Sequence, residues 1–174
     1  MKIIFYILTT VAIFSAQIAT AQEEVNSAVS ESFKQGFGIH AGASTGLGFS
    51  YRYFPEKWGI QVTGIPVFGG GSFFSSAGLS GLYKIKEHRR VDLFTYLGGH
   101  LIHERYKTNT STWPPTEEPQ IYKYNTLVAG LGAGVNIHLW EVLDLSVQIG
   151  YGAYNLTNSP RTNITGELGF YYRF

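Results

Sequence analysis

The sequence predicts an all-β protein, an eight-stranded antiparallel up-and-down transmembrane β-barrel. Three observations predict it. Apolar and polar residues alternate along most of the chain, the 21 glycines disfavour long helices, and only 14% of the residues are charged, whereas soluble proteins average about 25%. Beyond the N-terminal segment, no uncharged apolar run reaches the ~20 residues of a membrane-spanning helix. We therefore expect strands, not helices, to cross the membrane.

The N-terminal segment carries the pattern of a secretory signal peptide. Lys2 supplies the positive start, a short apolar region follows, and Ala19-Thr20-Ala21 offers the small residues of a cleavage site. We expect residues 1–21 to be removed, and the polar residues 22–34 to form a flexible leader before a barrel domain at 35–174. With no cysteine the chain has no disulfide or thiolate site, and its net charge of +1 gives no basic footprint for nucleic acid.

The first five strands are predicted from weaker alternation than the last three. Pro66 interrupts the third strand, and the fifth is apolar on both faces at Phe94 and Ile102, so the registers of these two strands stay open. The predicted ranges of the first five strands are 35–44, 47–55, 57–68, 73–86 and 90–105.

The last three strands show the clearest period of two, which is the periodicity of a strand with one apolar face. The sixth runs over residues 126–139, the seventh over 143–154, and the eighth ends at Phe174. The opposite rows of all three contain glycine and mostly polar residues. The apolar rows, predicted to face lipid, include Leu145, Val147, Ile149, Leu168 and Phe170.

The connections between strands alternate in length. Tight turns are predicted at 55–57, 87–89 and 140–142, whereas the opposite end carries the connections 44–46, 69–72, 106–120 and 155–162. Short turns at one end and longer loops at the other are typical of outer-membrane barrels. The segment 106–120 is the one long loop.

The same alternation would fit a secreted lipocalin-like barrel, in which the apolar rows face inward. A soluble exterior usually carries about 25–35% charged residues, and the polar rows here carry few. Aromatic residues also gather at both strand ends, as in the interfacial girdles of membrane barrels. These features favour the membrane barrel and leave the soluble lipid-binding barrel as the minor alternative.

The last strand resembles the C-terminal assembly signal of Gram-negative outer-membrane proteins, on Leu168, Phe170, Tyr172 and Phe174. With its signal peptide, eight strands and single long loop, the chain resembles the small eight-stranded outer-membrane β-barrel family. The resemblance implies export through the periplasm to the bacterial outer membrane. It also implies contact with outer-membrane lipids, lipopolysaccharide and the barrel-assembly machinery, with another envelope protein as a further candidate partner.

The interior of an eight-stranded barrel is just wide enough for side chains, so we expect no porin channel. Inward-facing charges near the tight-turn end predict an ion-paired plug, because opposite charges inside a barrel can pair. The predicted plug residues are Arg52, Lys84, Asp92, Asp144 and Arg173. Gly130, Gly132 and Gly134 either make room for large residues of the neighbouring strand, namely Phe94, Tyr96 and His100, or leave a cavity in the lumen.

No catalytic, metal or cofactor site is predicted. His100 and His103 superficially match a zinc motif, but on a strand these positions point to opposite faces. The lipid A deacylase family carries His-x-Ser, and none of the five histidines here is followed by serine at plus two. An acyltransferase would need a histidine, a hydroxyl group and an acid gathered at the outer rim, and His103, Glu104, Thr110 and Ser111 lie near that rim. A lipid A-modifying enzyme therefore remains the alternative function.

The loop 106–120 is the predicted contact surface. Trp113, Pro114 and Pro115 give a stiff extended stretch with an exposed aromatic, and Tyr106 stands at its start. We therefore expect a non-enzymatic outer-membrane barrel with a filled lumen and a structural, adhesive or complex-subunit role.

Overall fold

The computed structural model describes residues 33–69, 72–108, 120–157 and 159–174, with residues 107, 108 and 120 described by their backbone. The predicted signal peptide, nearly all of the predicted leader, and the residues Trp113, Pro114 and Pro115 of the predicted contact loop lie outside the described residues. In the described part of the chain, no helix is long and apolar enough to cross a membrane.

Eight antiparallel strands form one closed barrel. Each strand pairs with its chain neighbours, and the last pairs with the first, which confirms the predicted fold class. The strands are β1 (Gln35–Gly42), β2 (Gly46–Tyr53), β3 (Trp58–Gly69), β4 (Ser72–Glu87), β5 (Val91–Thr108), β6 (Gln120–Trp140), β7 (Leu143–Tyr154) and β8 (Arg161–Arg173).

Two predicted boundaries are wrong. β5 continues to Thr108 and β6 begins at Gln120, so Tyr106 belongs to a strand and not to a loop. The residues 121–125 are exposed on both faces of the strand. A strand with solvent on both sides has no buried face to impose alternation, so the sequence pattern gives no signal there.

The structure sets the registers that the sequence left open. In β3, Pro66 is paired with Ser75 of β4, while β2 pairs with β3 only up to Gly64. Pro66 therefore lies where β3 is an edge strand, a position that tolerates proline. In β5, Phe94 is 0% exposed, so this apolar residue fills the lumen and does not face lipid.

The two ends of the barrel differ in height. We call the end with the connections 54–57, 88–90 and 141–142 the turn end, and the opposite end the loop end. At the loop end β1 and β2 are short, with 8 residues each, whereas β4, β5 and β6 have 16, 18 and 21. β3 to β6 therefore rise above the rest as a raised wall, made of residues 65–69, 72–76, 102–108 and 120–128.

The surface and the interior have the polarity of a membrane protein. The outward rows are apolar and exposed, as at Ile39 (57%), Leu97 (66%) and Ile149 (66%), whereas polar side chains such as Ser50 and Gln148 are buried. A soluble barrel has the reverse arrangement. The outward rows predicted for β7 and β8, which include Leu145 and Leu168, lie on this apolar exterior.

Replacing Val147 with arginine tests the orientation of the outward rows. Val147 is exposed near the middle of β7, and arginine at the bilayer midplane costs ~2–4 kcal/mol in a membrane barrel. We expect V147R to lower the free energy of unfolding by about that amount in lipid bilayers. V147L should change little, and an unchanged stability of V147R would contradict the face assignment.

Candidate functional site

A cluster of charged side chains occupies the lumen at the turn end. Lys84 Nζ lies 3.8 Å from Asp92 Oδ2, and Arg173 Nε lies 3.0 Å from Asp144 Oδ1. His138 bridges the two carboxylates, with Nε2 at 3.4 Å from Asp92 and Nδ1 at 2.7 Å from Asp144. Four of the five predicted plug residues therefore meet here, together with a histidine that the prediction omitted.

Two β-bulges lie beside this cluster. The register shifts between Lys84 and Lys86 in β4, and between His138 and Trp140 in β6. A bulge adds one residue to a strand and re-aims the neighbouring side chains. Lys84 and His138, the residues just before the bulges, are the two that contact Asp92.

Arg52, the fifth predicted plug residue, lies apart from the carboxylates. Its Nε donates to Gln61 at 2.7 Å and its Nη1 to Asn136 at 2.9 Å. The guanidinium lies 3.8 Å from the ring centroid of Tyr171 and 5.6 Å from that of Phe94. Cation–π contacts and hydrogen bonds to amides thus hold this charge in the middle of the lumen.

A second cluster, not predicted from the sequence, forms around Glu167 near the loop end. The carboxylate accepts hydrogen bonds from the backbone N–H of Ser44 at 2.9 Å, from the Ser44 hydroxyl at 2.5 Å, and from the Thr45 hydroxyl. His40 Nε2 lies 2.7 Å from Thr45 Oγ1 and 3.3 Å from the carboxylate. Ser44, Thr45, His40 and Glu167 are all buried.

The Glu167 cluster holds the β1–β2 turn inside the barrel. Ser44 and Thr45 belong to the turn 43–45, and they pack against the opposite wall at Gly130 of β6 and Gly78 of β4. A side chain at either glycine would collide with the turn. The turn therefore crosses the lumen and does not project from the rim.

Hydrogen bonds connect the Glu167 cluster with Arg52. His40 Nδ1 lies 3.1 Å from the Tyr171 hydroxyl, which donates to Ser50 at 3.2 Å. Ser50 and Thr63 hydroxyls lie 2.9 Å apart, and the Gln61 amide donates to Thr63 at 3.1 Å. Since Gln61 also accepts from Arg52, one polar network runs from the turn to the centre of the barrel.

Large aromatic side chains in β5 lie over glycines of β6. A Cβ on Gly132 would lie 2.8 Å from Tyr96 Cε1, and one on Gly134 would lie 2.5 Å from Phe94 Cζ. Gly130 differs from the prediction, because its space is taken by Ser44 and not by His100. At two of the three predicted positions, a large side chain of β5 thus lies over a glycine of β6.

Some buried polar atoms beside these aromatics have no hydrogen-bond partner among the described residues. They include the hydroxyls of Ser80, Tyr96, Ser146 and Thr165, and the side-chain amide of Gln148. Buried polar atoms without a protein partner are usually bonded to water. We expect water to share this part of the lumen with the side chains.

The histidines of the superficial metal motif lie on opposite faces of β5. His100 is buried in the lumen, whereas His103 lies on the exterior, with Nδ1 at 2.6 Å from Asn125 Oδ1 and its ring 5.8 Å from that of Phe73. Within the described ranges, no three His, Cys, Asp or Glu residues are grouped as metal ligands.

The remaining predicted site residues are exposed, with Tyr106 on the inward-facing row of β5 at the loop end and the residues of β8 on the outward face. Tyr106 is exposed, and its hydroxyl donates to Glu104 at 2.8 Å. Leu168, Phe170, Tyr172 and Phe174 are exposed on the outward face of the barrel. At the seam between β8 and β1, the backbone N–H of Phe174 donates to the carbonyl of Gln35 at 3.0 Å.

Sequence reasoning missed Glu167, His40, Ser44 and Thr45. The alternation of β8 puts Glu167 on the row opposite Leu168 and Phe170, but its height relative to the β1–β2 turn depends on the register between β8 and β1. In the structure Glu167 is paired with Gly42, directly below the turn. The residue types give one signal for this site. A carboxylate on an inward row requires hydrogen-bond donors, and the hydroxyls of Ser44 and Thr45 and the imidazole of His40 are groups that can donate.

A closed barrel with an apolar exterior and a polar, internally bonded lumen defines a class of protein, the transmembrane β-barrels of the outer-membrane type. No protein-family model matches the sequence, and no curated protein sequence matches it.

Among solved structures, the chain is similar to the N-terminal β-barrel domain of Pseudomonas aeruginosa OprF, with 15% identity, coverage of 80% of this chain and 94% of that one, and a TM-score of 0.48. It is also similar to a major outer membrane protein from Thermus thermophilus, with 17% identity, 80% and 99% coverage, and a TM-score of 0.49. A third similar structure is the attachment invasion locus protein Ail of Yersinia pestis, with 17% identity, 80% and 95% coverage, and a TM-score of 0.44.

The anchoring role of Glu167 is tested by E167Q. The amide is similar in size but loses the negative charge that accepts three hydrogen bonds, and bonds to charged groups contribute about 1.5–3 kcal/mol each. We expect E167Q to lower the free energy of unfolding in bilayers by about 3–5 kcal/mol, the range for breaking a buried charged interaction by removing one partner. E141Q is the control, since Glu141 is exposed in a tight turn, and equal stabilities of the two variants would contradict the role.

The fit between Gly132 and Tyr96 is tested by G132L. Its Cβ would also lie 2.6 Å from the Cα of Gly150, so leucine has no room and we expect the folded fraction to fall several-fold. Folding is measured by the mobility difference between unheated and heated protein in SDS gels. G166L is the matched control because nothing lies within 4 Å of a Cβ at Gly166. Normal folding of both variants would count against tight packing.

Proposed function

We propose that the chain is a non-enzymatic protein of the bacterial outer membrane whose raised wall, together with the connection between β5 and β6, is a contact surface at the cell exterior. The loop end faces outward in this proposal, because outer-membrane barrels carry short turns on the periplasmic side and longer loops outside. The lumen is held closed by its polar side chains and does not conduct solutes.

The raised wall is the observation that supports the contact role most. β7 pairs with β6 only up to Ala129, and β2 pairs with β3 only up to Gly64. Above these points the wall has two edges whose backbone groups are not paired with a strand in the described part of the chain, although the carbonyl of Leu127 accepts a hydrogen bond from the backbone N–H of Leu156 at 3.0 Å. Exposed strand edges can accept a strand from another protein.

The outer part of β6 also carries exposed apolar and aromatic side chains, including Ile121 (49%) and Tyr124 (54%). Tyr124 and Tyr106 lie side by side with ring centroids 6.5 Å apart. Aromatic residues are enriched at protein interfaces. The wall therefore offers side chains as well as backbone edges to a partner.

The geometry of the Glu167 cluster supports a non-catalytic role. A nucleophilic triad places a hydroxyl on one histidine nitrogen and an acid on the other. Here Thr45 and Glu167 both lie near Nε2 of His40, and the Ser44 hydroxyl donates to the carboxylate itself. All these groups are buried, so a lipid substrate has no access to them.

The contact role and the enzymatic alternative are separated with one set of Gram-negative strains. The strains carry no chain, the wild type, or W113S, with S159A as a control in another loop. We expect the wild type to fractionate with the outer membrane and to raise adherence of the cells to a solid surface, with W113S lowering the gain several-fold. S159A should keep the gain.

The mass spectrum of lipid A from the same strains supplies the second readout. We expect the number of acyl chains to be unchanged. A change in acyl-chain number in the wild-type strain would establish the lipid A-modifying alternative. Equal adherence of all four strains would contradict an adhesive role, and absence from the outer-membrane fraction would contradict the location.

A further inference from the structure

The outward-facing side chains of β5 and β6 change from apolar to polar at the loop end. Neighbouring outward residues form a ladder of cross-strand pairs, in which Leu97 faces Leu131, Gly99 faces Ala129 and Leu101 faces Leu127. The next pairs upward are His103 with Asn125 and Arg105 with Lys123. The polar pairs begin after an apolar stretch from Val91 to Leu101, about the 9–11 residues that one strand needs to cross a bilayer.

Arg105 and Lys123 therefore lie at the level where the headgroups of the outer leaflet begin. Both side chains are exposed, and they line an open recess of about 540 Å³ together with His103, Phe68 and Phe73. The Phe68 and Phe73 rings are 4.8 Å apart. Aromatic residues at this level are typical of the interface between lipid and water.

Two cations directly opposite each other on paired strands repel one another. Among the described residues, neither Arg105 nor Lys123 forms an ion pair, while Glu104 is turned to the other face of β5, where it accepts from Tyr106. The pair is thus a concentration of positive charge at the membrane boundary, and an anion between the two side chains would stabilise it.

We propose that Arg105 and Lys123, assisted by His103, bind the phosphate group of a phosphorylated glycolipid in the outer leaflet. The inference rests on the proposed outer-membrane location and names the lipid contact within it. The guanidinium of Arg105 can hold a phosphate through two parallel hydrogen bonds, while Lys123 contributes a point charge. The acyl chains of the lipid then lie along the apolar pairs below, beginning at Leu101 and Leu127.

The proposal is tested by native mass spectrometry of the purified full chain in detergent micelles. The probes are diphosphoryl lipid A, its dephosphorylated form, and inorganic phosphate as a competitor. R105Q/K123Q removes the charged pair, and K57Q/K86Q is the matched control, because it removes two exposed lysines at the turn end. R105K/K123R keeps the charge, and gel mobility verifies that each variant is folded.

We expect the wild type and K57Q/K86Q to retain diphosphoryl lipid A, and R105Q/K123Q to lose tenfold or more of the bound lipid. R105K/K123R should retain most of it, and the dephosphorylated lipid should bind weakly to all four proteins. Equal retention by folded R105Q/K123Q and wild type would overturn the proposal. Displacement of the lipid by millimolar inorganic phosphate would also overturn it, because the site would then recognise free anions and not the lipid.

The failure of this proposal is distinguishable from the failure of the proposed function. Binding is measured on purified protein, so it does not depend on where the chain is found in the cell. Loss of the lipid contact leaves the outer-membrane location standing, and a chain found in another compartment leaves the measured affinity unchanged.

Discussion

The closed backbone ladder is the constraint on which the rest of this structure depends. A lipid environment offers no hydrogen-bond partners, so every backbone group of a membrane-crossing strand must be paired within the protein. The pairing of β8 with β1 meets that requirement by closing the ring, so that the remaining strand edges are those of the raised wall at the loop end. Once the ring is closed, the apolar rows face lipid, and the lumen holds mostly polar side chains around a small apolar cluster of Leu82, Phe94 and Tyr96.

Polar side chains inside the barrel need hydrogen-bond or ion-pair partners, and the lumen supplies such partners at three levels. Carboxylates, histidine and cations pair at the turn end, Arg52 is held by amides and aromatic rings in the middle, and Glu167 binds the β1–β2 turn near the loop end. The glycines of β6 make room for large side chains and for the turn. The short β1 and β2 place this turn within reach of Glu167.

The sequence predicts the parts of this structure in which one face meets lipid and the other meets the lumen. In β7 the rows of Leu145 and Ser146 are assigned correctly because the contrast between the two faces is strong. The upper part of β6 was assigned to a loop because residues 121–125 meet solvent on both sides.

Contacts between distant segments could not be predicted, because they depend on registers that no local pattern encodes. Glu167 and Ser44 are 123 positions apart, and only the pairing of β8 with β1 brings them to the same height. The same limit explains why the sequence predicts Arg52 in the plug with the other lumen charges. Its height in the lumen depends on the pairing of β2 with β3, which no local pattern encodes.

The long separation between Glu167 and the turn has a kinetic consequence. Contacts between distant parts of a chain form late in folding, because the intervening chain must first be ordered. Interactions absent from the transition state act mainly by slowing unfolding. The bonds from Glu167 to Ser44 and Thr45 cross the β1–β8 seam, so opening of the ring has to break them, and they act as a latch that lengthens the lifetime of the assembled barrel.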